Sequence, residues 1–128
     1  TCRGGWPEAT DSNMRKEIAL DQAKDYYDMV VESDIYKVDG SIRNPQRVHL
    51  LMRSYARNQA AQAPLSHIRA DMIASSNATL DEATIAKYLN ALEQIFVIED
   101  MPAWNPNLRS KTAIRTSATR YFVDPSIC

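Results

Sequence analysis

Apolar residues recur along this chain at helical spacing in several separated stretches, and the period then changes to two short β-rich runs. In residues 14–33, Ile18, Ala23, Tyr26, Tyr27, Val30 and Val31 fall near one face, with Glu17, Asp21, Lys24, Asp25 and Asp28 elsewhere, which predicts an amphipathic helix. Ser33–Arg43 reads as turn-like around Asp39-Gly40. Asn44-Pro45 marks a helix start, because Asn accepts the first orphan N–H groups and Pro suits the first helical turn. From there Val48, Leu51, Met52, Tyr55, Ala56, Gln59 and Ala60 keep one face apolar until Ala63-Pro64. A short helix is expected over Leu65–Ala74, with Leu65, Ile68, Met72 and Ile73 inward. After a polar turn, Thr79-Leu80-Asp81-Glu82 matches a capping box, and the helix it opens carries Ile85, Tyr88, Leu89, Leu92 and Ile95 on one stripe.

Beyond Gln94, Phe96-Val97-Ile98 and Arg120-Tyr121-Phe122-Val123 are β-rich, and they flank a polar, basic stretch from Asn105 to Thr119. Helix, turn, helix, then two strands around a basic loop is the order of a winged helix. The expected fold is therefore mainly α: a helical segment over residues 1–63, then a winged helix-turn-helix with a small β-wing over 64–128. The chain's 3 glycines argue against an all-β fold, which wants more turn glycines.

Composition bounds the function. At 45% hydrophobic and 24% charged residues, the 128-residue chain has the make-up of a folded globular domain. No apolar run reaches the length of a membrane span, so no membrane association is expected. The opening Thr1–Pro7 does not read as a signal peptide, since no apolar stretch follows Arg3. Cys2 and Cys128, at the two extremes, make a poor disulfide framework, and we expect free thiols in a reducing cytoplasm. Two cysteines and two histidines, His49 and His67, lack metal-ligand spacing, so no metal site is expected. No nucleophile is paired with a base, and neither histidine belongs to a recognisable triad; the chain reads as non-catalytic.

The formal net charge of −1 hides an uneven distribution. Residues 65–100 set Arg69 and Lys87 against Asp71, Asp81, Glu82, Glu93, Glu99 and Asp100, an excess of four negative charges. Residues 101–128 set Arg109, Lys111, Arg115 and Arg120 against Asp124 alone, an excess of three positive charges. If the helix from Leu80 to Gln94 reads DNA, then Thr84, Lys87 and Asn90 are the residues placed to touch phosphates or base edges. Asp81 and Glu82 at its leading end would repel phosphate, which favours a plain packing helix. Arg109, Lys111, Arg115 and Arg120, interleaved with Thr112, Thr116, Ser117 and Thr119, make the better case for gripping a DNA backbone, with a salt-dependent affinity. The same basic loop equally suits a docking surface for another domain. Trp104, after Pro102, suits a core or hinge aromatic better than a base-stacking platform.

Three runs resemble a family of bacterial and archaeal AAA-type ATP-binding proteins. They are Gly4-Gly5-Trp6-Pro7-Glu8-Ala9, the stretch Tyr88-Leu89-Asn90-Ala91-Leu92-Glu93-Gln94-Ile95-Phe96-Val97-Ile98-Glu99-Asp100-Met101-Pro102-Ala103-Trp104, and the tail Leu108–Arg115 with Arg120–Ser126. In that family a P-loop ATPase precedes a region with a winged helix and often a nuclease-like fold. The resemblance implies that this chain is the winged-helix part, with ATP and Mg bound by the parent protein and no cofactor of its own. The chain contains no Gly-x-x-x-x-Gly-Lys-Ser/Thr motif. The implied role is a non-catalytic accessory domain binding DNA, with the ATPase and C-terminal domains of the parent as partners; self-association into a homo-oligomer is also compatible with it. The alternative is a protein-interaction or interdomain scaffold with no nucleic-acid binding.

Overall fold

The computed structural model describes residues 5, 7, 15–38, 40, 41, 43–76, 80–103 and 117–127. They form a mainly helical domain. The first helical run comprises α1 (Lys16–Met29), one π turn (Val30–Asp34) and α2 (Ile35–Lys37). Ala19, Ala23, Val30, Val31 and Ile35 form its buried side, whereas Ile18 is exposed, unlike its expected inward placement. The run continues past Ser33, where a turn was expected, because the wide turn keeps Ile35 on the same buried side as Val30.

α3 (Pro45–Arg57) starts where the sequence places it. The Asn44 side chain accepts from the Gln46 N–H at 2.9 Å and Pro45 occupies the first turn. Val48, Leu51, Met52 and Tyr55 are buried along it. The helix ends at Arg57, short of the expected stop at Ala63-Pro64, so Gln59 and Ala60 lie beyond it rather than on its face, and Ala60 adopts a positive φ of 60°. α4 (Leu65–Ser76) packs against α3 and α5, with Ile68 and Met72 buried. α5 (Glu82–Gln94) buries Ile85, Tyr88, Leu89, Ala91 and Leu92. Its N-cap is Asp81, which makes no side-chain capping bond. The cap thus lies two residues after Thr79; the expected capping box depends on Thr79, which falls outside the described residues.

The β-rich runs pair, but only through isolated bridges. Ile98 faces Phe122 and Met101 faces Thr119, both antiparallel. The Met101 and Thr119 backbones exchange both hydrogen bonds, at 2.9 and 2.8 Å. Glu99 N–H donates to Tyr121 O at 3.0 Å, and Val123 N–H donates to Val97 O at 3.1 Å. The chain after α3 joins the same pairing: Gln59 bridges Arg120 in parallel and Gln62 bridges Thr119 in antiparallel. Residues 119–120 therefore lie between the other two segments. No continuous strand forms among the described residues, so the expected two-stranded wing is replaced there by a bridged pair of segments.

One hydrophobic cluster runs from Val30 through Tyr55, Ile68, Ile85 and Leu92 to Phe122 and Ile127, on both sides of residue 63. Arg43 ties its far end. Nearly buried, it donates to Ile35 O at 2.7 Å and lies over the Tyr88 ring at 5.9 Å, linking α2 to α5. Pro125–Ile127 forms a short 3-10 turn against α1, and Gly5 N–H reaches Asp124 Oδ2 at 2.9 Å.

Candidate functional site

Only part of the sequence-derived site comes together. Lys87 and Asn90 lie on the exposed side of α5 and Thr84 is half-buried beside them. The outward stripe reads Ala83, Lys87, Asn90, Gln94, and the carboxylates of Asp81, Glu82 and Glu93 are exposed around it. Lys87 is thus outnumbered on its own helix, an unfavourable approach for a polyanion. Arg109, Lys111 and Arg115, like Trp104, lie outside the described residues.

Arg120 requires a correction. It was expected on a phosphate-gripping wing, but its side chain turns inward and is only 11% exposed. Its Nε donates to Ala63 O at 2.9 Å, and one terminal nitrogen donates to Tyr55 Oη at 3.2 Å and to Asp100 Oδ2. The guanidinium also lies over the Tyr55 ring at 5.8 Å. Tyr55 donates to the same Asp100 oxygen at 2.7 Å. Burial, reinforced by the bond to Asp100, holds the Tyr55 hydroxyl protonated far above its ordinary range. Burial opposes the charge on Arg120, but Tyr55 and Asp100 outweigh it and the guanidinium stays cationic. The reason lies in composition: Asp100 is a carboxylate carried into the interior, and Arg120 is the cation the fold brings to it. This trio locks the bridged segments to α3 and leaves Arg120 unable to reach a phosphate.

The histidines differ. His67 is exposed on α4, whereas His49 Nδ1 is hydrogen-bonded to the Tyr27 hydroxyl, with the rings edge-on at 5.7 Å. Burial, then the charge of Asp28, raises the Tyr27 pKa. The pair lines an open groove with Asp28, Glu32 and Ser75, but the Ser75 hydroxyl donates to Asp71 O at 2.9 Å and is not aligned with the imidazole. Among the described residues no three His, Cys, Asp or Glu side chains gather as a metal site would need. No helix among them is long and apolar enough to cross a membrane.

The surface feature that the sequence reading missed is apolar. Phe96 is 78% exposed, Met101 55% and Val123 50%. Phe96 lines a groove of about 190 Å³ with Tyr26, Ile95, Val97, Val123, Asp124 and Ile127. Met101 lines another of about 440 Å³ with Glu99, Asp100, Pro102, Tyr121, Phe122 and Val123. Val123 belongs to both, so the grooves adjoin along the bridged segments. A signal existed in the sequence: Ile95-Phe96-Val97-Ile98 is four apolar residues in succession, and no single helical or strand period turns all four inward.

These features define a helical domain with an interior ion-pair network and an exposed apolar surface. The chain belongs to the family described as a domain of unknown function (DUF8612), whose model matches residues 1–128. No curated protein and no solved structure matches it.

Proposed function

We propose that this domain is a non-catalytic protein-interaction module built on a winged-helix arrangement. The observation that carries this reading is the contrast between two surfaces. The outward side of α5 mixes one lysine with carboxylates, whereas Phe96, Met101 and Val123 stand in solvent just beyond that helix. The element order supports the winged-helix part: α3, a bridged segment at 59–62, α4, α5, then the bridged pair with residues 119–120 in the middle. On this reading the winged unit includes α3 and begins near Pro45. The resemblance to AAA-type ATP-binding proteins supports an ATPase as the covalent neighbour, with ATP and Mg held there.

Photo-crosslinking in the native host tests the proposal. A benzophenone side chain at position 96 is expected to give discrete adducts that protease removes and nuclease does not; the same group at position 87 is expected to give no nucleic-acid adducts. Nuclease-sensitive adducts at 87, with none to protein at 96, overturn it.

A DNA-binding reading keeps one specific support. The Met101–Thr119 pairing brings together the two ends of the stretch that carries Arg109, Lys111 and Arg115. Duplex binding at low salt that disappears when these three are replaced together by Ala would favour it.

A further inference from the structure

We propose that Phe96 anchors a docking surface for a protein segment that presents apolar side chains flanked by Lys or Arg. The inference rests on the protein-interaction reading and adds the anchor and the partner's chemistry.

Backbone geometry supplies the first argument. Phe96 has a φ of 56°, the left-handed region. It sits just past the end of α5, where Phe96 N–H donates to Glu93 O at 3.0 Å and Val97 N–H donates to Leu92 O at 3.0 Å. Those two bonds are the Schellman pattern, in which this position is ordinarily glycine. A side chain in that conformation is strained, and here the side chain is also an aromatic ring left mostly in water. Glycine would serve the turn better on both counts. A residue unfavourable for the free fold in two independent ways is accounted for by a surface that something else covers.

Charge supplies the second argument. The described residues lining the two adjoining grooves include Glu99, Asp100 and Asp124 and no Lys or Arg. Exposed Glu93 lies one helical turn before Phe96. Arg120 is paired with Asp100 beneath the surface, which leaves Glu99 and Asp124 as the uncompensated charges of the described lining. Two copies of such a face would bring like charges together, so a second copy of this chain is disfavoured and a cationic partner is matched. Tyr26, Ile95 and Ile127 floor the groove beside Phe96 and give an apolar partner side chain something to fill.

The test uses the full chain, labelled with nitrogen-15, titrated with a 16-residue peptide carrying Leu at helical spacing and Lys on its flanks. A twin peptide has Glu in place of Lys. Amide shifts are expected to concentrate at residues 95–101 and 121–127, with the Glu peptide at least about tenfold weaker. Phe96→Gly is expected to weaken the Lys peptide by about tenfold or more. The same substitution should raise Tm by about 2–5 °C, a combination that general damage to the fold cannot produce. Met101→Ser serves as a second variant that leaves the turn untouched and should also weaken binding. Equal binding of both peptides, shifts confined to other surfaces, or unchanged affinity in Phe96→Gly overturns the inference. So does concentration-dependent self-association abolished by Phe96→Gly, which would make a second copy the occupant. If neither peptide binds while position 96 still crosslinks to protein, the stated partner chemistry fails and the interaction reading stands; loss of both removes the two together.

Discussion

Arg120 ties three parts of this domain together. Its three partners come from the end of the α3 connection, from α3 itself and from the opposite bridged segment. Removing it leaves Asp100 buried with only the Tyr55 hydroxyl among the described residues, where the other Asp100 oxygen has no partner. Arg120→Met is therefore expected to destabilise the domain by about 3–5 kcal/mol in urea unfolding. The double variant Arg120→Met with Asp100→Leu should lose clearly less than the two single losses combined, because no charge is then stranded. Strict additivity would show that the pair is not coupled. Asp124 provides the pH counterpart. Burial raises its pKa, but hydrogen bonds from the Gly5 and Ser126 backbones outweigh that, and the net shift is downward. A lowered carboxylate stabilises the fold above its ordinary pKa of 3.8, and that stabilisation disappears as pH falls through the folded value. The Tm gap between the native chain and Asp124→Asn should be small but measurable near pH 7, well under ~1 kcal/mol for so solvated a group, and should close at acid pH. A gap that widens on acidification would contradict this.

Among the elements, the π turn makes the sharpest prediction. It holds one residue more than an α turn would, and Glu32 within it is exposed. Deleting Glu32 converts the run to regular α-helix and keeps Ile35 within about 40° of the Val30 direction. The deletion is thus expected to fold, with little change in Tm. Deleting exposed Arg53 from α3 instead turns Tyr55 by about 100° out of the core and is expected to abolish cooperative folding; equal tolerance of both deletions would refute this account. The same contrast explains what could be read from the chain. α3, α4 and α5 were legible because Asn44-Pro45 and the stripes at Val48–Tyr55 and Ile85–Leu92 are local signals obeying one period. The π turn was not, since inserting one residue breaks that period and mimics a helix end at Ser33. The inward turn of Arg120 was invisible as well: its partners Tyr55 and Asp100 lie 65 and 20 residues away in sequence. Phe96 was read as strand because its β propensity is high, whereas the closing turn of α5 decides its backbone.

Across the whole molecule, residues before and after position 63 share one core, through Tyr55 against Phe122 at 5.9 Å and Ile35 through Arg43 to Tyr88. Heat unfolding followed by near- and far-ultraviolet circular dichroism should therefore give one coincident transition, and a fragment of residues 64–128 should not fold alone. Two separated transitions would show independent units. The contact between Gly5 and Asp124 has a mechanical meaning. It brings the first described residue beside the last described turn, so tension applied through flanking polypeptide at both ends meets there first. The load falls on one solvent-exposed hydrogen bond and on the packing of the 3-10 turn against α1. The Arg120 network lies beyond that first yield point, so a modest pull would loosen the chain's two ends while its interior stays folded.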